Sequence, residues 1–255
     1  MPAHDLNLAL IDATTGSLSD RCTGSRYATP IANCPLIGHV LGELAENGID
    51  ESRIIAAPDV ANELSRLLGS GERWGVRVSY VEAPKSDRRQ AVLRELDRAL
   101  AQGPVVLHPG DRLLRGQLTT MRARFVVGDV DSVLPEQATV GASAEGTEPP
   151  LSADVVMLGS AMRPVLEQLA VTADPDAGMV DALLHSDCRL AVCEQRDHWC
   201  YSDCTAALLA ANRMLLDALP EQLAPGGLGE GNEIHGRVAI ESGAWVANCV
   251  LHGPI

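Results

Sequence analysis

Three stretches of the sequence place polar residues directly after apolar runs of strand length. The first, LALIDATTGSLSDRCTGSRYATPIANCPL, passes from the apolar residues 8–11 into a loop of small and hydroxyl residues that includes Gly16 and Gly24. A loop of this kind before a helix has the layout of a phosphate-binding loop, because its backbone N–H groups can approach an anion closely. Its glycines and basic residues are few, so the loop is either a working nucleotide site or the remnant of one.

The other two stretches follow the apolar runs VRVSYV and PVVLH. The first of these leads to Arg88 and Arg89, which are candidates for binding an anion or, alternatively, solvated residues at the start of a helix. The second leads to Asp111, a carboxylate at the end of a buried strand. Parallel sheets flanked by helices bind ligands at the carboxyl ends of their strands, so we expect the three stretches to face one edge of a sheet.

The composition narrows the classes of function. The 255 residues carry a net charge of −14, which repels a phosphate backbone and argues against a nucleic-acid partner. No apolar run reaches the length of a membrane span, and the N-terminus lacks the pattern of a signal peptide, so we expect no membrane partner. Seven cysteines without the spacing of a disulfide scaffold favour a reduced, cytoplasmic protein.

Strand-like apolar runs alternate with helical patterns along most of the chain. The predicted strands include residues 8–11, 53–58, 76–81, 104–111, 153–159 and 188–194. The predicted helices are residues 35–47, 59–69, 90–101, 163–170 and 205–219. This alternation predicts an α/β fold in which helices flank a mostly parallel sheet.

The end of the chain follows a different period. Apolar residues recur at every sixth position in two series: Ile234, Ile240 and Val246, and Val238, Ala244 and Val250. A six-residue period predicts a left-handed parallel β-helix, although coincidental spacing in an irregular pair of strands is the alternative. We therefore predict a main domain over residues 1–222, a linker over 223–233 and a β-helical tail over 234–255. One coil cannot bury its own core, so we expect the tail to dock on the main domain, to pair with another subunit, or to be the truncated start of a longer β-helix.

A zinc site is the other chemical possibility in the second half of the chain. Its candidate ligands are four cysteines and two histidines: Cys188, Cys193, Cys200, Cys204, His185 and His198. Their spacing lacks the C-x-x-C pair of a zinc knuckle, so ordinary, partly buried cysteines are the favoured interpretation.

Four segments together resemble the sugar-1-phosphate nucleotidyltransferase family, also called nucleotide-sugar pyrophosphorylases. TPIANCPLIGHVL is similar to the family's LPVANKPLIEHVL, and PVVLHPGDRLL is similar to its FLVLNGDDLL. HWCYSDCTAALLAANRMLL resembles YWLDIGTPEDLLEANRALL, and HGRVAIESGAWVANCVLHGPI resembles the opening of the family's C-terminal β-helix. The resemblance spans nearly the whole chain and implies a Rossmann-like nucleotidyltransferase domain. The family transfers a nucleotidyl group from an NTP to a sugar 1-phosphate with Mg²⁺.

The resemblance also implies roles for individual residues. It aligns a phosphate-binding lysine of the family with Arg26 and a metal-binding aspartate with Asp111, and these two are the catalytic candidates. The second metal-binding aspartate of the family falls on Tyr201. Asp203 lies two residues further and is the substitute candidate for holding Mg²⁺ together with Asp111.

Several other motifs of the family are degraded in this chain. The glycine loop G-G-x-G-T-R-L falls on residues 13–18, where Gly16 and Ser17 are the candidates left for binding a nucleotide. The base-recognition loop falls near Arg88, which is the third such candidate. The lysine that grips the sugar phosphate has no counterpart, since the single lysine, Lys85, lies in another part of the fold.

These losses predict an eroded active site, and hence a regulatory or assembly subunit or a binder of an NTP or nucleotide sugar. Such a protein would form a homo-oligomer, or a hetero-oligomer with an active homologue, and would need no cofactor. The first alternative is an active, Mg²⁺-dependent nucleotidyltransferase that acts on an unusual sugar or cyclitol phosphate. The second is a structural interaction module that binds no ligand.

Overall fold

The structure of the protein is a computed structural model that describes residues 6–15, 24–84, 86–114, 116–136, 154–171, 178–194, 198–202, 204–219, 227–240 and 243–255. The chain forms two compact units. The first consists of Met1–Thr29 and Pro35–Cys200, and the second of Pro30–Cys34 and Tyr201–Ile255. Within the described ranges, every helix is too short or too polar to traverse a lipid bilayer.

The strands of the described residues, in chain order, are β1 Leu8–Ala13, β2 Pro30–Ile31, β3 Cys34–Pro35, β4 Glu51–Ala56, β5 Arg77–Glu82, β6 Val105–His108, β7 Arg112–Leu114, β8 Ser132–Pro135, β9 Val156–Leu158, β10 Leu190–Cys193, β11 His198–Cys200, β12 Gly227–Leu228, β13 Glu233–His235, β14 Trp245–Val246 and β15 Val250–His252. The helices are α1 Leu36–Glu46, α2 Pro58–Leu68, α3 Arg88–Leu100, α4 Gln117–Val127, α5 Arg163–Val171, α6 Met179–Leu184 and α7 Thr205–Leu216. Short 3-10 helices span Arg26–Ala28, Glu72–Trp74 and Ser160–Met162.

The first unit is built on a seven-stranded sheet in the order β10-β8-β9-β6-β1-β4-β5. The ladders β6-β1, β1-β4, β4-β5 and β10-β8 are parallel, whereas β9 runs antiparallel to both of its neighbours, β6 and β8. Residues of α1, α2 and α4 pack on one face of this sheet, and residues of α3, α5 and α6 pack on the other. The prediction of an α/β fold with a mostly parallel sheet flanked by helices is confirmed.

The order of the strands reverses next to β1. The chain passes from β1 to β4 and β5 on one side and then returns to β6 on the other side of β1. Ile11 is paired with His108 in the β1-β6 ladder, so the carboxyl ends of these two strands lie side by side. Reversals of this kind leave a crevice at the strand ends, where open α/β sheets bind their ligands.

The second unit contains two short parallel ladders. β12 pairs with β14, so that Gly227 lies opposite Trp245, and β13 pairs with β15, so that Ile234 lies opposite Leu251. The first part of the predicted linker is outside the described residues, but its second part contains β12 and the start of β13. The left-handed β-helix itself stays a prediction. The compact units divide at Cys200 and not at residue 222, because α7 packs against Pro30–Ile31.

A buried carboxylate connects α1 to the start of α4. Gly116 precedes α4 and has no side chain with which to cap the helix. Glu43 takes that role, since its carboxyl group accepts hydrogen bonds from the N–H groups of Leu114, at 3.3 Å, and Leu118. Its Oε1 atom is buried and has no hydrogen-bond partner. Burial is the main cause that raises the pKa of Glu43 to about 8, so this carboxyl group holds its proton at neutral pH.

We expect the stability of the protein to contain a term that falls as the pH rises from about 4.5 to about 8. Over that range the folded state keeps the proton of Glu43, whereas the unfolded chain has released it. The contribution is complete below the unfolded pKa and is lost as the pH passes the folded pKa. Glu43→Gln imitates the protonated carboxyl without titrating, so it should flatten this fall. Urea unfolding at several pH values measures the effect.

Glu72→Gln is the matched control for this experiment, because Glu72 is an exposed glutamate. It should keep the wild-type dependence of the free energy of unfolding on pH. Equal slopes for the wild type and Glu43→Gln would show that Glu43 is ionised in the fold across this range.

Candidate functional site

The end of β1 is fixed by a buried aspartate. Asp12 is only 2% exposed, and its Oδ1 atom accepts hydrogen bonds from the backbone N–H of Thr14 at 3.0 Å and from Thr14 Oγ1 at 2.6 Å. An aspartate that binds the backbone two residues on closes a local turn, so Asp12 shapes the first residues of the loop. Gly16 and Ser17, the predicted nucleotide-binding residues of this loop, lie outside the described residues.

Arg26 is carried by a short segment that is fixed on both sides. The N–H of Ser25 donates to both carboxylate oxygens of Glu63 in α2, at 3.1 and 3.0 Å. Tyr27 is fully buried, and its hydroxyl lies 3.3 Å from Thr15 Oγ1. Burial, with the nearby charge of Asp111, raises the pKa of Tyr27 well above its usual range, so Tyr27 is a neutral anchor. The backbone position of Arg26 is therefore set by contacts at its two neighbours.

The turn after β6 depends on a histidine and a glycine. The N–H of Gly110 donates to Nδ1 of His108 at 2.9 Å. Burial, with a smaller effect of Arg112, lowers the pKa of His108 to about 3, so the imidazole is neutral and carries its proton on Nε2. Gly110 has a φ of +75°, and a Cβ atom there would lie 2.9 Å from Ile11 Cγ2. The turn requires glycine both for its backbone conformation and for its close approach to β1.

The two predicted catalytic residues meet in an ion pair. Arg26 Nη1 lies 3.1 Å from Asp111 Oδ2, and the side chains are 34% and 17% exposed. Burial raises the pKa of Asp111, whereas the charge and hydrogen bond of Arg26 oppose that rise. The structure brings these two residues into contact, where their charges compensate each other. Their catalytic roles stay a prediction.

A second ion pair lies beside the first and was not expected from the sequence. Arg112 Nη1 is 2.6 Å from Asp154 Oδ1, and the side chains are 15% and 2% exposed. Arg112 is also close enough to Asp111 to oppose the rise of the pKa of that aspartate. Two arginines and two aspartates therefore form the polar centre of the site. The only sequence signal for this pair was an arginine directly after Asp111, next to a strand that had to be buried.

The described residues do not fit a Mg²⁺ site. Mg²⁺ prefers several oxygen ligands in octahedral geometry, and carboxylates hold it best when no cation competes. Asp111 is instead in contact with Arg26 and lies near Arg112. Across the part of the chain that the structure describes, no three of the histidine, cysteine, aspartate and glutamate side chains form a metal-binding group. The candidate zinc ligands likewise form no such group among the described residues. Asp203, the predicted second Mg²⁺ ligand, lies outside the described residues.

Arg88 is at a different strand end from the ion pairs. It is the first residue of α3, and β4 lies between β1 and the strand that precedes this helix, β5. Its Nε atom is buried without a hydrogen-bond partner, and the first turn of α3 contains no acidic residue. The dipole of a helix favours an anion at its amino end, and it disfavours a cation such as the Arg88 guanidinium. The anion-binding interpretation of Arg88 stays a prediction.

Residues 22–132 match the family model described as nucleotidyl transferase. A glucose-1-phosphate thymidylyltransferase of Actinoplanes sp. is 33% identical over 107 residues, which are 41% of this chain and 35% of that enzyme. An enzyme of the same name from Streptomyces griseus is 25% identical over 259 residues, which cover 91% of this chain and 71% of the enzyme. The chain thus spans about a third of the Actinoplanes enzyme and more than two thirds of the Streptomyces enzyme.

A solved structure has the same fold. It is a Bacillus anthracis protein in complex with sucrose, assigned provisionally as a glucose-1-phosphate thymidylyltransferase. The superposition has a TM-score of 0.64 with 18% sequence identity, and it covers 82% of this chain and 95% of the other. At this identity the likeness concerns the fold of the chain.

We expect Gly110→Ala to lower the free energy of unfolding by about 1–3 kcal/mol, since alanine is strained at positive φ and its methyl group would press on Ile11 and Tyr27. Urea denaturation measures the change. The matched control is Gly42→Ala in α1, where an added Cβ meets no atom within 4 Å and helix propensity favours alanine. A Gly110→Ala variant as stable as the wild type would show that the turn can relax.

Proposed function

The chain belongs to the sugar-1-phosphate nucleotidyltransferase family, and we propose that it is a member with an eroded active site, acting as a nucleotide-sugar binder and as a regulatory or assembly subunit. The observation that carries this proposal is the contact between Arg26 and Asp111. In a working enzyme of the family, Arg26 would have to bind a phosphate and Asp111 would have to bind Mg²⁺. Here each neutralises the other.

Nucleotidyl transfer concentrates negative charge at one point, because a triphosphate and a sugar phosphate must approach each other. An enzyme lowers this barrier with preorganised cations and N–H donors, and removing one such donor costs about 10²- to 10³-fold in rate. In this chain Arg26 is paired with Asp111, and Arg112 is paired with Asp154. The described centre of the site therefore offers no net positive charge to a second phosphate group.

The runner-up is an active enzyme with an unusual acceptor, such as a cyclitol phosphate. A changed acceptor would account for the missing sugar-phosphate lysine, because that lysine contacts the acceptor alone. It would not account for the degraded glycine loop over residues 13–18, because the NTP is common to every acceptor. The degraded loop therefore favours the eroded site. The names of the relatives make dTTP and glucose 1-phosphate the first substrates to test.

The second unit supports a role in assembly. The offset between paired residues, such as Ile234 and Leu251, is close to three six-residue repeats, as expected for one coil of the proposed left-handed β-helix. Trp245 and Val250 are 72% and 57% exposed on the last two strands. An open coil with exposed apolar side chains is suited to pairing with another coil, either of a second copy or of an active homologue.

We expect no pyrophosphate release above background when the isolated protein is mixed with Mg²⁺, each of the four common NTPs or dTTP, and a panel of sugar 1-phosphates. A glucose-1-phosphate thymidylyltransferase from Streptomyces griseus serves as the positive control. Tyr201→Asp restores only one carboxylate and leaves the glycine loop unchanged, so it should also be inactive. A wild-type turnover of about 1 per second, within the ordinary range of enzymes, would establish an active nucleotidyltransferase instead.

We further expect the protein to self-associate through its tail. Trp245→Ser should weaken the oligomer in sedimentation experiments, because it removes a large exposed apolar side chain from the open coil. Ile240 is unsuitable as a probe, since it is buried within its own chain. Leu209→Ser is the matched control, as Leu209 is an exposed apolar residue of α7 in the same unit. A monomeric wild type, or equal effects of both substitutions on the oligomer, would contradict a role of the tail in assembly.

A further inference from the structure

We infer that Arg26 takes the place of a divalent cation in this chain: the site binds the diphosphate group of a nucleotide sugar through the Arg26 guanidinium without metal, and Asp111 positions that guanidinium. This inference rests on the proposed function, in that it requires the site to bind such a ligand. It goes further in assigning the charge that replaces Mg²⁺. It also reverses the expected role of Asp111, from a metal ligand to a positioning residue.

The position of Arg26 is fixed before any ligand arrives. Glu63 binds the backbone of Ser25 through two hydrogen bonds, and the buried ring of Tyr27 anchors the next residue. Asp111 then holds the guanidinium at 3.1 Å. A long side chain that is already ordered loses less conformational entropy on binding, so this arrangement favours an anion that reaches it.

The guanidinium is also within reach of a ligand. About a third of the Arg26 side chain is accessible, in contrast to Arg112, which is largely buried with Asp154. Guanidinium groups have five N–H donors in a planar fork, and they bind phosphate oxygens in pairs. Arg26 can therefore keep its bond to Asp111 and still present N–H donors to a phosphate.

The two guanidinium groups near Asp111 oppose a divalent cation at that carboxylate. A Mg²⁺ ion at Asp111 would lie close to the guanidinium of Arg26 and near that of Arg112. Like charges at such distances repel strongly in a partly buried site. Asp12, a further carboxylate near these strand ends, is buried and binds Thr14 through its Oδ1 atom, which holds it in the turn. An incoming diphosphate can reach the accessible part of the Arg26 guanidinium, whose charge attracts it.

Calorimetric titration with dTDP-glucose and with inorganic pyrophosphate tests the inference, each in buffer with Mg²⁺ and in buffer with EDTA. We expect the same Kd in both buffers within about twofold, since no metal takes part. Arg26→Met should weaken binding by about tenfold or more, the usual effect of losing a hydrogen bond from a charged group. Arg26→Lys keeps the charge and should lose less. Arg163→Met is the matched control, because Arg163 forms a comparable but exposed ion pair with Asp97.

The decisive variant is Asp111→Asn. If Asp111 only positions Arg26, Asn keeps a side-chain oxygen that accepts from the guanidinium and loses the negative charge, so ligand binding should stay unchanged or become tighter. If Asp111 holds a metal, the same substitution should weaken binding in Mg²⁺ buffer. The two roles thus predict opposite signs, and thermal unfolding of each variant verifies that it is folded. The comparison of the two buffers uses the wild type alone and does not depend on any variant.

A titration of the ligand-free protein with Mn²⁺, followed by electron paramagnetic resonance, tests Asp111 separately. We expect identical curves for the wild type and Asp111→Asn, and a Mn²⁺ site that disappears in the variant would overturn the inference. Ligand binding that requires Mg²⁺ would also overturn it, but would leave the proposed nucleotide-sugar binding intact. Binding of neither ligand in either buffer would instead refute the proposed binding function, and the inference with it.

Discussion

The burial of β1 at the centre of the sheet is the constraint on which the rest of the first unit depends. All six of its residues are buried, with β4 on one side and β6 on the other. Alternate residues of β1 pack against the two helical layers, Ala9 and Ile11 on one face and Leu8 and Leu10 on the other. Neighbours on both edges and both faces prevent β1 from shifting, so the position of its carboxyl end is fixed.

The site follows from that fixed end. The turn after β6 lies so close to β1 that Ile11 leaves no room for a side chain at Gly110. Tyr27 packs against the same turn and brings Arg26 next to Asp111. The contact between these two residues is therefore a consequence of packing around β1. Glu63 also holds the backbone at Ser25, so the point from which the Arg26 side chain extends is fixed.

Charge balance then decides what this site can do. A family that brings two phosphorylated substrates together needs excess positive charge, whereas this chain compensates Arg26 with Asp111 and Arg112 with Asp154. Compensation of this kind satisfies the rule that buried charges are paired. About a third of the Arg26 side chain stays accessible, as the proposed binding of a diphosphate requires.

The sequence by itself determined several of the elements, although not β8, α4 or α6, and the family resemblance, because both depend on local patterns. Apolar periodicity placed a helix over residues 35–47, and the structure has α1 at Leu36–Glu46; it also placed the strand that ends shortly before Asp111. Only the tertiary structure decided which charges meet. Arg26 and Asp111 lie 85 positions apart, and Arg112 and Asp154 lie 42 apart. Periodicity within one element carries no information about such pairs, since they form only where the order of the strands and the packing of Tyr27 and Gly110 bring distant segments together.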